Sequence, residues 1–325
     1  MLIDRFNRKI NYLRISVTDR CNLRCLYCMP EEGIELFPSN KILSFEEILF
    51  FVETVSNLGV NKIRITGGEP LIRKNVQFLI KSICKLENVN DVALTTNGVL
   101  LEKYINELVD AGLRRVNISL DTLKRDKFKF ITRRDFFSEV IRGIKSAVKN
   151  GLNPVKVNIV AIKNFNDDEI IDFVRFGIEN NVEIRFIEFM PFGDFHNLRF
   201  ISKKEIISKI EQYFKLTIIP NRDIHSPAQI YKINGTNATV GFISPMTEHF
   251  CNRCNRIRLT CNGTLKTCLF SNKVYNLLDI IKSGDSKALS EELIKIINEK
   301  PEKHNISVSD YKFKKCQNEM RKIGG

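Results

Sequence analysis

The chain has 325 residues, 43% of them hydrophobic, so it can bury one large core or a large core beside a small one. Its 51 basic and 38 acidic residues give a net charge of +13, which fits a polyanionic ligand or a lysine-rich surface, and no single basic run favours nucleic acid. No stretch approaches the ~18 unbroken apolar residues of a membrane span, and the N-terminal residues lack the apolar core of a signal peptide. We therefore expect a cytoplasmic protein with neither a membrane nor a nucleic acid as partner.

Short β-type runs alternate with amphipathic helical runs from Tyr12 to Met190. The predicted strands are Tyr12–Val17, Lys62–Thr66, Asp91–Thr95, Arg115–Leu120, Val155–Val160 and Glu183–Phe189. The predicted helices are Phe45–Leu58, Asn75–Leu86, Glu102–Asp110, Ser138–Lys149 and Asp167–Glu179. Alternation of this kind predicts βαβ units around a parallel sheet.

The number of repeats favours an incomplete barrel. Six strands are fewer than the eight of a closed barrel, so the predicted fold is α/β, a partial (β/α)6 TIM-type barrel, with a doubly wound open sheet as the alternative. Another helix is predicted over Ser202–Phe214, after which Pro, Asn and Gly become frequent. We place a soft boundary near residue 220, between a barrel core of residues 1–220 and a smaller C-terminal region of residues 221–325.

Polar residues occupy one face of several predicted strands. In the fifth strand, Val155, Val157 and Ile159 share one face, and Lys156 and Asn158 share the other, because side chains alternate with period two. Arg64 in the second strand and Asn117 and Ser119 in the fourth follow the same alternation. Helices on every crossover would cover the apolar face, so we expect the polar face to line a cavity that holds a charged ligand.

Nine cysteines are present, and seven of them form two tight groups. Without a secretory signal, clustered thiols indicate metal ligands rather than disulfides. The first group, Cys21, Cys25 and Cys28, directly follows the first strand. Three thiolates would leave one iron of a cubane cluster without a protein ligand. The same spacing is also one stripe of a helix, but a helix with three cysteines on one face is improbable by composition.

These residues resemble the radical SAM superfamily, whose signature is Cys-x3-Cys-x2-Cys with an aromatic residue, here Tyr27, before the last cysteine. The segment Gly67–Pro70 after the second strand resembles the superfamily motif for the amino group of S-adenosylmethionine (SAM). The resemblance implies a [4Fe-4S] cluster on the three cysteines. It also implies SAM contacts at Tyr27, Gly68, Ser119 and Met190. Met190 and Arg185 are an odd number of residues apart, so both face the cavity only if the strand ends between them.

The second group comprises Cys251, Cys254, Cys261 and Cys268, with His249 nearby as a spare ligand. Four thiolates can form a structural zinc site, and such sites in small basic modules often bind nucleic acid. A zinc-bearing binding module is therefore one interpretation of this region.

The residues around the second group resemble the GTP 3′,8-cyclase family, whose second signature is Cys-x2-Cys-x13-Cys, matched by Cys251, Cys254 and Cys268. Cys261 lies outside that pattern. The resemblance implies a second [4Fe-4S] cluster that contacts guanine, and it makes Arg256 and Arg258 catalytic together with the first three cysteines. The GTP contacts that it implies are Arg14, Arg64, Thr95, Lys156, Arg256, Ile257 and Arg258.

The chain ends in Gly324 and Gly325, and in this family such a tail enters the active site. The implied reaction is radical SAM cyclisation of GTP, the first step of molybdenum cofactor biosynthesis. The resemblance also implies an electron donor such as flavodoxin or ferredoxin, cyclic pyranopterin monophosphate synthase as the enzyme that accepts the product, and a homodimer. A two-cluster radical SAM enzyme that modifies a peptide is the enzymatic alternative.

Overall fold

Six parallel strands form the centre of the sheet in the computed structural model, which describes residues 1–29, 33, 35–190, 199–220, 223–304 and 306. They are β1 (Tyr12–Ser16), β2 (Lys62–Thr66), β3 (Asp91–Thr96), β4 (Arg115–Ser119), β5 (Val155–Lys163) and β6 (Glu183–Glu188). They are neighbours in chain order. All six predicted strands are therefore confirmed, with ends that differ by at most three residues.

Helices cover the outside of this sheet. They are α1 (Phe45–Asn57), α2 (Val76–Cys84), α3 (Leu101–Asp110), α4 (Arg125–Thr132), α5 (Phe137–Lys149), α6 (Ile170–Asn180), α7 (Lys203–Glu211), α8 (Leu278–Ser283) and α9 (Ser286–Asn298). The predicted crossover helices are confirmed, and α1 begins at a capping box in which Glu47 N–H donates to Ser44 Oγ at 3.1 Å. The sequence analysis missed α4, which is only eight residues long and has four charged residues, and it also missed α8 and α9.

Two C-terminal strands extend the parallel sheet at both edges. β10 (Thr239–Ile243) pairs in parallel with β6, and β11 (Arg256–Leu259) pairs in parallel with β1. Antiparallel strands follow outside them. These are β8 (Leu216–Ile219), β9 (Ala228–Ile233), β12 (Thr264–Lys266) and β13 (Tyr275–Asn276), while β7 (Arg199–Phe200) pairs with β5. The described strands thus form a partial barrel with eight parallel strands, two more than the sequence indicated.

The boundary near residue 220 stays a prediction. Strands from both sides of that residue share one sheet and one hydrophobic core. The alternation of Arg256 and Arg258 with Ile257 and Leu259 is typical of a strand and corresponds to β11, whereas β7 to β10, β12 and β13 were missed because they are two to six residues long and lie among turn-forming residues.

The polar and apolar faces of the strands separate as predicted. Val155, Val157 and Ile159 are buried in the core. Lys156 and Asn158 point to the opposite side, into the barrel interior. The interior of this barrel is therefore a polar cavity instead of a packed layer of branched apolar side chains.

Glu188, at the end of β6, connects the barrel to the C-terminal region. Its carboxylate accepts hydrogen bonds from the backbone N–H groups of Lys203, Met246 and Thr247 at 3.0–3.2 Å, and from Thr247 Oγ1 at 2.5 Å. The side chain is 1% exposed. A single buried carboxylate thus satisfies donors from α7 and from the segment after β10.

We expect Glu188→Ala to lower the free energy of unfolding by about 3 kcal/mol, because it leaves several buried N–H groups without an acceptor. Glu188→Gln keeps one carbonyl acceptor and should lose less. Anaerobic urea denaturation measures both, with the exposed Glu291→Ala on α9 as control. Equal stability of Glu188→Ala and the control would show that these hydrogen bonds contribute nothing.

Candidate active site

The barrel interior is a cavity of about 470 Å³ whose lining includes residues from both ends of the parallel strands. Cys21, Cys25 and Cys28 line it, and so do Cys251, Cys254 and Cys268. The predicted SAM contacts Tyr27, Gly68, Ser119 and Met190 also line it, together with Arg14, Arg64, Thr95, Lys156, Arg256 and Arg258. The fold therefore brings both cysteine groups and nearly all the predicted ligand contacts to one cavity.

The register of β1 and β11 places the two cysteine groups at opposite ends. Tyr12 is the partner of Arg256, and the two strands run parallel. Cys254 precedes β11 and so lies where β1 begins, whereas Cys21 follows the end of β1. Because a strand rises ~3.3 Å per residue, the five residues of β1 separate the two ends by roughly 16 Å.

A close backbone contact shapes the first cysteine loop. The N–H of Gly68 donates to Thr18 O, and the N–H of Glu69 donates to Arg20 O, both at 2.7 Å. A Cβ at position 68 would lie 2.2 Å from Arg20 O. Only glycine therefore allows the loop that carries Cys21 to pack against the end of β2.

Glu69 fixes the neighbouring strand ends to this loop. Its buried carboxylate accepts from Thr96 Oγ1 at 2.8 Å and from the Asn97 N–H at 2.7 Å. The Asn97 amide in turn donates to Asn22 Oδ1 at 2.7 Å and lies 3.7 Å from Cys21 Sγ. Burial raises the pKa of Glu69 to about 7, even though these hydrogen bonds favour the ionised form. The sequence analysis identified the motif but not this network.

A second buried carboxylate holds Tyr27. The Tyr27 hydroxyl donates to Asp121 Oδ2 at 2.5 Å, and the Val160 N–H donates to Asp121 Oδ1 at 2.8 Å. Burial raises the pKa of Asp121 to about 6. Asp121 therefore ties the first cysteine loop to β5, a role that no sequence motif indicated.

The thiols of the first group favour metal binding. All eight cysteines within the described ranges are free thiols. Burial, with a contribution from Glu69, raises the pKa of Cys21 to about 11, and burial with the neighbouring thiols raises that of Cys25 well above its usual range. Thiols held in a desolvated site ionise only when a cation compensates their charge. This donor set fits a site for an iron–sulfur cluster.

Charged side chains support the second cysteine group. Burial opposes ionisation of Cys254, but Lys300 and Arg256 outweigh it and lower the pKa of this thiol to about 7. Lys300 Nζ donates to Arg256 O at 2.9 Å and is buried. Arg8 donates to Cys251 O at 2.7 Å and forms an ion pair with Asp4 at 2.6 Å. Arg8 and Lys300 were not anticipated, because both are distant in sequence from the cysteines.

Basic side chains from successive strands line the middle of the cavity. Lys62, Arg115 and Arg185 join the five predicted cations there. Arg64 donates to Tyr12 Oη and, at 3.2 Å, to Thr95 Oγ1. The buried side-chain oxygens Oδ1 of Asn117 and Asn158 have no hydrogen-bond partner within the described residues. A ligand in the cavity could donate hydrogen bonds to them.

Two details concern individual predicted contacts. The strand β6 ends at Glu188, so the alternation of its side chains does not extend to Met190. Both Arg185 and Met190 line the cavity. The Ile257 side chain alternates with Arg256 and Arg258 and is fully buried in the core, so only its backbone can reach a ligand in the cavity. Gly324 and Gly325 lie outside the described residues.

Comparison with known proteins decides the family. Residues 15–177 match the radical SAM superfamily, and residues 182–306 match the family Molybdenum Cofactor Synthesis C. A protein of Thermodesulfovibrio yellowstonii named GTP 3′,8-cyclase is 50% identical over 92% of this chain and 94% of its own length. One of Peptoclostridium acidaminophilum with the same name is 45% identical over 100% of this chain and 98% of its own. The chain belongs to the GTP 3′,8-cyclase family.

The fold of this GTP 3′,8-cyclase family member also matches a solved structure of a protein bound to S-adenosylmethionine. The crystal structure of Streptococcus suis SuiB bound to S-adenosylmethionine has a TM-score of 0.64 at 16% identity, and the match covers 95% of this chain and 76% of that one. Membership of this family makes the protein a radical SAM enzyme with iron–sulfur clusters, and the zinc-bearing binding module is not supported.

Cys261 and His249 differ in their position relative to the three cavity cysteines. Cys261 is fully buried and is not among the residues that line the cavity, and burial and the nearby Asp19 raise its pKa to about 12. His249 lies beside Cys251 and His304, with ligand atoms within 4.8 Å of one another. His249 and His304 also contact each other at 2.9 Å.

For this GTP 3′,8-cyclase family member we expect about eight irons per chain after anaerobic reconstitution, since each cubane holds four. Cys268→Ala should remove about half of the iron, because Cys268 lines the cavity. Cys261→Ala should leave the iron content unchanged, as should Cys84→Ala on α2. Iron analysis with absorbance spectra measures this. Loss of iron in Cys261→Ala that matches the loss in Cys268→Ala would assign Cys261 to the second site.

Proposed function

We propose that this enzyme converts GTP to (8S)-3′,8-cyclo-7,8-dihydroguanosine 5′-triphosphate, the first step of molybdenum cofactor biosynthesis. The observation that carries the proposal is one cavity with three cysteines at each end and eight cationic side chains along its lining. A nucleoside triphosphate has a polar base at one end and several negative charges at the other. Such a ligand complements this distribution of groups better than a neutral peptide does.

Cys21, Cys25 and Cys28 would hold the first [4Fe-4S] cluster, and Gly68, Ser119, Tyr27 and Met190 would surround SAM at the same end. SAM bound at this end would supply, on one-electron reduction, the radical chemistry that removes the 3′ hydrogen of GTP. The protein contributes position: Glu69 and Asp121 hold the cysteine loop against β3 and β5. Gly68 lets the loop that carries Cys21 pack closely against the end of β2, so it would shape the SAM end of the cavity through that loop.

Cys251, Cys254 and Cys268 would hold the second cluster beside the guanine, with Arg256 and Arg258 close to the base. Arg14, Arg64, Thr95 and Lys156 would contact the phosphates. Arg185 adds a cation to this set, and Gly241 of β10 leaves room for it, since a Cβ there would lie 3.3 Å from Arg185 Cγ. Arginine guanidinium groups bind phosphate oxygens in pairs, which fixes the orientation of the triphosphate.

The electrostatics of the cavity favour an anion. Burial lowers the pKa of Arg14 well below its usual range, and it lowers that of Arg258 to about 10 and that of Lys156 to about 7, with neighbouring arginines adding to each shift. Buried cations that repel each other gain most when a negative ligand enters. Phosphate binding would therefore relieve the repulsion among these buried cations.

The other components of the pathway follow from this activity. We propose that flavodoxin or ferredoxin supplies electrons, that cyclic pyranopterin monophosphate synthase accepts the product, and that the enzyme forms a homodimer in the cytoplasm. Over its described residues, the protein has no helix long and apolar enough to cross a membrane.

The decisive experiment is an anaerobic assay with SAM and GTP. GTP-dependent formation of 5′-deoxyadenosine together with cyclised nucleotide supports the proposal. Stoichiometric zinc without iron, or SAM cleavage that requires a peptide instead of GTP, contradicts it.

Arg258→Ala should weaken GTP binding by roughly ten- to a hundredfold and leave SAM binding nearly unchanged, because it removes a charge-assisted contact to a buried ligand. Arg258→Lys should recover part of the loss. Equilibrium binding of each ligand to the reconstituted protein measures both effects. Equal losses for SAM and GTP would make Arg258 a structural residue.

GTP affinity should fall as pH rises from 7 to 9. Lys156 has its pKa lowered to about 7 in the free protein, so above pH 7 it loses the proton that a phosphate contact requires. Binding at high pH must then restore this proton, which by linkage weakens affinity by about tenfold or more at pH 9. Lys156→Arg stays protonated and should show a flatter profile. Parallel pH profiles of wild type and Lys156→Arg would exclude this role.

A further inference from the structure

We propose that the outer face of α4 docks an acidic one-electron carrier protein that reduces the cluster on Cys21, Cys25 and Cys28. This inference rests on the proposed function, because only a reduced cluster can cleave SAM. We define the α4 platform as residues 124–135, which comprise the helix and its two flanks. The platform contributes no residue to the lining of the active-site cavity. A carrier bound there would leave both substrates in place.

Backbone hydrogen bonds attach the platform directly to the first cysteine loop. The N–H groups of Arg24 and Leu26 donate to the carbonyls of Thr132 and Ile131 at 3.0 and 2.8 Å. Arg133 reaches back to the same loop, where its Nη1 donates to Met29 O at 3.1 Å. The C-terminal end of α4 thus touches the loop on both sides of Cys25.

An aromatic contact leads from the surface toward the cysteines. Phe130 is 63% exposed, and its ring centroid lies 6.0 Å from that of Phe165. Phe165 belongs to a small hydrophobic cluster that is separate from the main core and also contains Leu26 and Tyr27. These two residues lie between Cys25 and Cys28. A protein that binds at Phe130 would therefore be separated from the cluster site by two layers of packed side chains. The first layer is Phe165, and the second is Leu26 and Tyr27.

The charge around Phe130 favours an acidic partner. The platform contains six basic and two acidic residues. Lys124 and Lys127 form ion pairs with Asp168, and Arg125 pairs with Asp135. Lys129 and Arg134 are exposed, and over the described ranges no carboxylate lies within ion-pair distance of either. An exposed aromatic residue with a rim of cations has the composition of a protein-docking surface, and the cations would steer an acidic carrier to it.

The redox step is simple. The carrier, a reduced flavoprotein or ferredoxin, loses one electron, and the cluster on the three cysteines gains it. No bond is made or broken and no proton moves at this stage. The oxidised carrier must then dissociate from the platform. The affinity between carrier and platform is therefore expected to be modest. An exposed surface with a single aromatic residue at its centre suits such a transient contact.

The test uses the reconstituted enzyme and reduced flavodoxin in anaerobic stopped flow, with bleaching of the cluster absorbance as readout. The double variant Lys129→Glu with Arg134→Glu should slow cluster reduction at low salt by about tenfold or more, since it reverses the steering charge. Phe130→Asp should raise the Kd for oxidised flavodoxin in a calorimetric titration. Reduction by dithionite should be unchanged in both variants, because a small reductant needs no docking surface.

The control variants lie on α2, which also has an exposed phenylalanine and an exposed lysine. Phe78 is 59% exposed there, so Phe78→Asp and Lys81→Glu repeat the same chemical changes away from the cysteine loop. Slower reduction in the α4 variants, with α2 variants at the wild-type rate, supports the platform. Equal rates with flavodoxin in all variants would overturn it.

Two other outcomes also decide the question. If sedimentation shows a wild-type dimer and a monomeric Phe130→Asp, the platform is a contact between copies of this chain and the inference is wrong. Failure of the dithionite-reduced wild-type enzyme to form 5′-deoxyadenosine with GTP contradicts the proposed function instead. In that case faster bleaching by flavodoxin on the wild type than on the α4 variants would still establish the docking surface.

Discussion

The parallel pairing of β1 with β11 is the constraint on which the active site depends. It joins a strand near the start of the chain to one more than 240 residues later, with Tyr12 beside Arg256. Because the strands run in the same direction, the cysteines before β11 and those after β1 must lie at opposite ends of the barrel. Closing so long a loop costs entropy, and the continuous hydrophobic core across both strands offsets that cost.

The charged residues of the barrel interior favour ligand binding at the expense of the stability of the fold. Branched apolar residues would fill such an interior in a packed barrel, whereas here arginine and lysine side chains point inward from β1, β2, β4, β5, β6 and β11. Burial, with repulsion from neighbouring cations, lowers the pKa of Arg14 and that of Arg258. This repulsion is tolerated because the apolar faces of the parallel strands are buried in the hydrophobic core.

Buried carboxylates organise the surroundings of the cavity. Glu69, Asp121 and Glu188 each lie at or just beyond the end of a strand and accept hydrogen bonds from a different chain segment. Each satisfies donors that would otherwise be buried without partners. Loops that carry ligands are thereby held by short polar contacts at the rim, while the apolar core holds the helices.

The sequence by itself determined the parts of this protein that depend on local pattern. Alternation along β5 placed Lys156 inside and Val157 outside, and the spacing of Cys21, Cys25 and Cys28 indicated the first cluster site. Periodicity and spacing are properties of neighbouring residues, so they can be identified before the fold is known.

Only the tertiary structure decided which distant groups meet. The position of Arg185 and Met190 in one cavity depends on where β6 ends, and the separation of Cys261 from Cys268 depends on the turn between β11 and β12. Arg8 donates a hydrogen bond to the carbonyl of Cys251, and Lys300 donates one to the carbonyl of Arg256. No local sequence pattern predicts these contacts, because the partners are far apart in the chain. Such contacts are set by the packing of the whole chain, since the free energy that holds them comes from burial shared among many segments.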